Sequence, residues 1–513
     1  MSMPPLASGP EGSDALRPLL ATVLDALDAG ARSRGGPLPE GGPHTVAERV
    51  REAIGDPLPE HGDPDALYTV VRTLAEGAAD PAHPLCAAHL HCPPLAVATA
   101  ADLAASTLNP SLDSWDQAPA ASELESLLTH ALAAEIYGHT NPAPPTGSAP
   151  APTGPGSPSA DSGPAPASPG SPSADSGPAP TGPMTPATRP RAATAPTLPA
   201  DALVTTGGTE ANHLALLLAR EAHGPALRLV CGANAHHSLP RAAWLLGLPE
   251  PVILPTPTGV LDPATLHHTL TTRPGPLLVA ATAGTTDAGL IDPLPALAAL
   301  CHAHGARLHI DAAYGGGLLF SDRRRPLLTG LEAAHTVTLD LHKLGWQPVA
   351  AGLLAVRDPH DLTALHHHAD YLNADDDTEA GLPDLLGRSL RTTRRPDVLK
   401  IAVTLKTLGR SGLGALVDQV CDNARQLADL VTAHPGLELH APPTLSTVLL
   451  RPAHATDTAV ADIRRRLLTQ GHAVLGRARL DGRLWLKTTL LNPHTRPADL
   501  TALLRLVEGN TPA

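Results

Sequence analysis

Three short segments of this 513-residue chain bring together residue types that can do chemistry. Thr205-Thr-Gly-Gly-Thr-Glu-Ala-Asn212 follows a strand-like apolar run and opens a helical one. Free backbone N–H groups and the helix dipole would converge there on one point, an anion site suited to phosphate. The segment has neither the G-x-G-x-x-G of a dinucleotide site nor the G-K-[ST] ending of a P-loop. Leu308-His-Ile-Asp-Ala-Ala-Tyr-Gly-Gly316 puts a carboxylate, Asp311, at the end of a buried strand, followed by small residues that let a planar group approach. A buried carboxylate needs a partner, whether a backbone N–H, an arginine or a cationic ring nitrogen. Asp340-Leu-His-Lys343 ends another strand near a lysine. A loop lysine is ordinarily a solvated charge, but one held beside another cation or in an apolar pocket forms Schiff bases. Taken singly the three are weak signals. In this order they supply what pyridoxal 5′-phosphate requires: a phosphate cradle, an acid to keep the pyridine nitrogen protonated, and an amine for the aldehyde.

The elements that must position these residues read as an α/β domain. After residue 200, β-type runs alternate with helical ones: 202–205 then 211–222, 227–231, 252–254, 277–281 then 294–304, 307–310, 337–339 and 352–356. Such alternation predicts a largely parallel sheet, with ligands beyond the carboxyl ends of its strands. Residues 401–513 begin with a helical run and then predict strands at 447–451, 472–477 and 483–489, a smaller α+β domain. Residues 1–100 read as an N-terminal helical segment, with helical spacing at 16–27, and 101–140 as the helical start of the cofactor domain. Within the latter, 122–137 has helical spacing and Ser122-Glu-Leu-Glu125 has the form of a capping box. Between 141 and 200 lie 18 of the 57 prolines, and GSPSADSGPAP occurs twice, at 156–166 and 170–180. Too little apolar area is available there to offset backbone ordering entropy, so 141–199 reads as a disordered linker. The domain proper is then 200–400.

With the phosphate turn, Asp311 and Lys343 in hand, the chain resembles the group II PLP-dependent amino acid decarboxylases. That resemblance runs from about residue 83 to the C-terminus, interrupted by the linker, and it implies the type I PLP-dependent transferase fold, a large mostly parallel-sheet domain plus a small α+β C-terminal domain. It implies that Gly208 and Thr209 hold the phosphate. The Ala235-His-His-Ser238 segment implies that His236 stacks on the pyridine ring with Ser238 close by. Thr282-Ala-Gly-Thr-Thr286 implies that Thr286 lies near the ring's phenolic oxygen. Asp311 would pair with the ring nitrogen, Ala313 would pack on the ring face, and Lys343 would bond the aldehyde with His342 beside it. Asp340 takes a place at the phosphate that some members fill with asparagine. His368-Ala-Asp-Tyr-Leu-Asn373 resembles the mobile catalytic loop, in which Tyr371 would return a proton to the substrate carbon; relatives with phenylalanine there tend to give aldehydes. The active site of this fold lies at a dimer interface, so a homodimer is implied.

Within the family the chain looks closest to decarboxylases of diamino acids, L-2,4-diaminobutyrate and lysine, through 114–125, 368–377 and 389–395. Trp115 and Asp116 are then candidate substrate contacts, and Asp370 with Asp375–Asp377 are surplus carboxylates that could favour a cationic side chain, or a solvated acidic loop. Aromatic-amino-acid and glutamate-type decarboxylases remain alternatives. So do an aminotransferase or carbon–sulfur lyase on the same fold, and an inactive homologue used as a binding subunit.

Acidic residues outnumber basic ones, 50 to 36, which argues against a nucleic-acid surface. His83, Cys86, His89, His91 and Cys92 crowd ten residues but lack the second knuckle of a zinc site, and His366–His368 read as a solvated helix end. Five cysteines with no CxxC pair fit a reduced compartment. No stretch is apolar over the ~20 residues needed to span a bilayer. A cytoplasmic protein with a small-molecule amino acid substrate, no metal and no membrane partner is expected.

Overall fold

The computed structural model describes residues 4–138, 199–369 and 371–511; most of the 141–199 segment and Asp370 therefore lie outside the described residues. Seven strands form the central sheet: β1 (Asp201–Thr205), β2 (Arg228–Gly232), β3 (Val252–Leu254), β4 (Leu277–Thr282), β5 (Arg307–Ala312), β6 (Thr336–Asp340) and β7 (Gly352–Val356). Their order is β1-β7-β6-β5-β4-β2-β3, and β7 alone runs against the rest. Strands β1, β4, β5, β6 and β7 are buried at every residue. This is why they read as continuous apolar runs, as strands covered by helices on both faces do. The class is the expected α/β.

Register is what assembles the site. Across adjacent strands Thr205 pairs with Gly352, Gly352 with Asp340, Thr338 with Asp311 and Asp311 with Thr282. Two rows, Thr205-Gly352-Asp340 and Thr338-Asp311-Thr282, offset by two residues on β6, thus cross five strands near their shared end, where the chain leaves the sheet toward Gly207, Ala313 and Lys343.

The smaller sheet, β8 (Leu437–Leu439), β9 (Thr447–Pro452), β10 (Gly476–Leu480) and β11 (Arg483–Thr489), is antiparallel in the order β10-β11-β9-β8. The strand expected at 472–477 is displaced to Gly476–Leu480. Ala473, Val474 and Leu475 are buried as core filler, and Val474 makes only an isolated bridge to Cys86. The helix Val398–Ala433 breaks at Gly409, whose φ of +66° only glycine adopts cheaply. The capping box expected at Ser122 is not one. The helix spans Pro119–Tyr137 with proline in its first turn, the Ser122 hydroxyl donates to the Pro119 carbonyl, and Glu125 instead takes both oxygens to Arg394 at 2.9 and 3.0 Å.

The scarce aromatics sit where loops need pinning. Tyr314, three residues past Asp311, is 2.8 Å from the Ser446 hydroxyl and 3.0 Å from that of Thr447. Trp346, three past Lys343, donates its indole N–H to the Leu491 carbonyl at 2.8 Å. Both loops leaving these rows of site residues are thereby tied to the smaller sheet and to the segment that follows β11. Among the described residues no helix is long and apolar enough to cross a membrane.

Candidate active site

A cavity of about 310 Å³ opens at the carboxyl ends of β1, β4, β5 and β6. Its wall includes Gly208, Thr209, His236, Thr286, Asp311, Ala313, Asp340, His342 and Lys343, nine of the expected site residues. Tyr371 and Ser238 are not part of that wall. Tyr371 is 82% exposed on its loop, and Ser238 is fully buried behind His236. Trp115 and Asp116 also lie off the cavity; Asp116 accepts the Ser114 hydroxyl at 2.6 Å. Of the acidic loop residues, Asp375–Asp377 sit in a short exposed helix, Asp375–Glu379.

At one end of the cavity the helix Gly208–His223 presents its first turn, whose leading N–H groups have no intrahelical acceptor. Side chains are excluded from the turn before it. A Cβ on Gly208 would lie 3.0 Å from the Ala313 Cβ and 3.1 Å from an Asp340 oxygen, and one on Gly352 would lie 2.5 Å from the Gly207 Cα. Glu210 closes the turn by accepting the Thr206 backbone and hydroxyl at 2.6 and 2.7 Å.

At the opposite wall Asp311 is 5% exposed. One carboxylate oxygen accepts the Ala313 N–H at 3.0 Å and the other the Asn212 side-chain amide at 2.8 Å, which leaves lone pairs facing the cavity. The Lys343 amine lies 2.9 Å from Asp340, whose same oxygen is 3.5 Å from His342 Nε2. Burial holds the pKa values of His236 and His342 below the usual imidazole value, with Asp311 and Asp340 respectively opposing the shift. The 83–92 segment reaches the site through Leu90, part of the wall, and Cys92, whose thiol donates to the His342 carbonyl at 3.1 Å and is pushed up to about 12 by burial. No group of metal-ligating residues occurs among the described residues.

Comparison with known proteins places this geometry. Residues 188–452 match the pyridoxal-dependent decarboxylase conserved domain. The L-2,4-diaminobutyrate decarboxylase of Rhizobium meliloti (strain 1021) is 37% identical over 462 residues, 86% of this chain and 81% of that protein. The chain belongs to the pyridoxal-dependent decarboxylase family. It is a PLP-dependent amino acid decarboxylase with the type I fold. An L-2,4-diaminobutyrate decarboxylase of Acinetobacter baumannii is 31% identical over 83% of this chain and 79% of its own. Among solved structures, the glutamate decarboxylase domain of diaminobutyrate-pyruvate transaminase and L-2,4-diaminobutyrate decarboxylase from Vibrio parahaemolyticus superposes with a TM-score of 0.76 at 26% identity. That match covers 98% of this chain and 97% of the other.

The cavity residues of this decarboxylase fit the cofactor. Backbone donors face one end, an inward carboxylate faces the other wall, and an amine stands beside them. Three buried polar atoms on the wall, Thr282 Oγ1, Asp340 Oδ1 and His342 Nδ1, have no hydrogen-bond partner among the described residues. Asn212 and Tyr314 are among the wall residues to which the sequence assigned no role, as are Leu90, Thr282 and Val349. Asn212 closes the TTGGTEAN motif, so its signal was present without a role.

Proposed function

We propose that this decarboxylase converts L-2,4-diaminobutyrate to 1,3-diaminopropane and carbon dioxide. The observation that carries the substrate is the similarity, over more than four-fifths of the chain, to two L-2,4-diaminobutyrate decarboxylases.

When bound, the cofactor supplies an electron sink for the breaking bond between the α-carbon and the carboxylate. The chain supplies the rest. Gly208 and Thr209 would hold the phosphate at the helix terminus. Asp311 would keep the ring nitrogen protonated, His236 would cover the ring, and Ala313 would leave room for it. Thr286 would face the phenolic oxygen. Lys343, with His342 beside it, would supply the amine for the aldehyde. Asp340 orients that amine through the 2.9 Å contact. Tyr371 delivers the proton to the α-carbon; closure of its loop excludes water. We further infer a cytoplasmic homodimer. Five cysteines without a disulfide support the compartment, and a cavity wall at Val349, 61% exposed, supports a second copy closing the site.

The test is carbon dioxide release by the PLP-loaded protein across a panel of L-amino acids, with products identified. Release from diaminobutyrate with diaminopropane formed is expected. Release only from glutamate, tyrosine or tryptophan would overturn the substrate and keep the chemistry.

A further inference from the structure

Asn212 is fully buried beneath the cavity, with Ser238, His309 and Thr338 equally buried around it. Its hydrogen-bond directions follow from one fact: a carboxylate only accepts. The atom 2.8 Å from Asp311 is therefore the amide nitrogen, and its second hydrogen goes to the Ser238 hydroxyl oxygen at 2.9 Å. Ser238, having accepted there, donates its own proton to His236 Nδ1 at 2.8 Å, and its backbone N–H points at the same nitrogen at 3.3 Å. His236 Nδ1 is then an acceptor, and the ring is neutral with its hydrogen on Nε2. The lowered pKa of His236 agrees with this state.

At the other end of the amide, Asn212 Oδ1 accepts the Thr338 hydroxyl at 2.9 Å and His309 Nε2–H at 3.0 Å. His309 Nδ1 in turn accepts the Thr336 hydroxyl at 2.9 Å. Burial pushes His309 down to about 4, so its ring is neutral as this pattern demands. All four hydrogen-bonding positions of one amide are used, and the partners come from the helix start at Ser238, β5 and β6. Alanine offers none of them. Glutamine carries an extra methylene into a space with no room.

We propose that Asn212 is a positioning residue that aligns the Asp311 carboxylate directly and the His236 ring through Ser238, and so fixes which nitrogen of His236 carries the proton. It rests on the pairing of Asp311 with the ring nitrogen proposed above. One side chain thereby couples the group beside the pyridine nitrogen to the group on the ring face. Displacing either by about 1 Å costs on the order of a hundredfold in rate.

The experiment compares wild type, Asn212→Ala, Asn212→Asp, Asp311→Ala and the Asn212→Ala/Asp311→Ala double variant. Two quantities are read across pH: kcat, and the Kd of pyridoxal 5′-phosphate for the apoprotein. The ionisable groups facing this amide or its partners are Asp311 and His309 on β5, His236 and His237 ahead of the Ser238 helix, and Asp340 and Lys343 at the end of β6. Asn212→Ala is expected to lower kcat about ten- to a hundredfold, to weaken cofactor binding, and to cost less in the Asp311→Ala background. Asn212→Asp is isosteric and serves if the alanine variant does not fold. At acid pH one of its two adjacent carboxyls keeps a proton and donates to the other, as the amide does; as pH rises the two charges repel. Its kcat and cofactor affinity should therefore approach wild type at low pH and fall as pH rises. An Asn212→Asp profile parallel to wild type, or an alanine loss fully additive with Asp311→Ala, overturns the proposal while Asp311→Ala remains impaired. An unimpaired Asp311→Ala overturns the pairing and the proposal together.

Discussion

Lys343 is the residue whose removal separates bonding of the cofactor from mere binding. Lys343→Ala is expected to fold normally and lose the visible absorption of the lysine-bound cofactor. Decarboxylation should fall on the order of a thousandfold or more. An unchanged absorption band would remove Lys343 from its role. His309 gives a second prediction, on stability. Its folded pKa, near 4, lies below the 6.5 of an unfolded histidine, so between those values the unfolded chain binds the extra proton and gains stability relative to the fold. The contribution is complete above about pH 6.5 and is lost as pH falls toward 4, on the order of 3 kcal/mol in all. Urea unfolding at pH 7 and pH 4.5 should show a larger acid loss for wild type than for His309→Gln; equal losses would refute the assignment. Asp311 and Lys343 were legible in the sequence because each is a chemically unusual group at the end of an apolar strand. Asn212 was not. Its partners lie 26, 97, 99 and 126 positions away, and only the register of β5 and β6 together with the start of the Ser238 helix brings them within 3 Å.

Among elements, the strands of the central sheet were legible, whereas in the smaller sheet β8 was not read and β10 was read four residues early; the contacts that clamp the strands were not legible. Continuous apolar runs can be read one strand at a time, and 352–356 was placed residue for residue at β7. What fixes one element on another is often a polar pair far apart in sequence. The S-x-x-E pattern in the helix Pro119–Tyr137 looked local, yet Glu125 serves Arg394, 269 residues on, with both side chains buried. Arg394 also donates to the Leu112 carbonyl at 3.0 Å, so this pair ties that helix and the segment before it to the entry of the helix Val398–Ala433. Glu125→Ala leaves a guanidinium buried without its counterion and should cost about 3–5 kcal/mol in chemical denaturation. A loss under about 1 kcal/mol would mean that the pair is solvated. Tyr314→Phe removes a hydroxyl that meets both Ser446 and Thr447, leaving the loop after Asp311 unpinned from β9. A smaller cost of about 1–3 kcal/mol is expected there, together with weaker cofactor binding, measured by titrating the apoprotein.

For the whole molecule the unresolved tension lies in Tyr371, expected to deliver a proton yet 82% exposed and off the cavity wall of its own chain. Two arrangements reconcile the facts: the loop folds over its own cavity, or it enters the cavity of a second copy. The second is favoured because the wall itself is open at Val349 and the loop side carries the exposed Leu390 as well, apolar surface that a second copy would cover. A mixing experiment separates them. In aerated buffer Tyr371→Phe homodimers should yield less amine, with aldehyde and ammonia appearing as dioxygen takes the two electrons, and Lys343→Ala homodimers should yield almost nothing. In a heterodimer of the two, the chain that retains Lys343 would receive Tyr371 from its partner, and one complete site would form. Co-refolded mixtures should therefore regain clean amine formation, at up to half the wild-type rate per heterodimer. If Tyr371 acts on its own chain, every site in the mixture lacks either the lysine or the tyrosine, and the product pattern stays that of the Tyr371→Phe enzyme. Sedimentation at twice the 52.6 kDa chain mass is the companion measurement, since a monomer would leave Tyr371 no second cavity to enter.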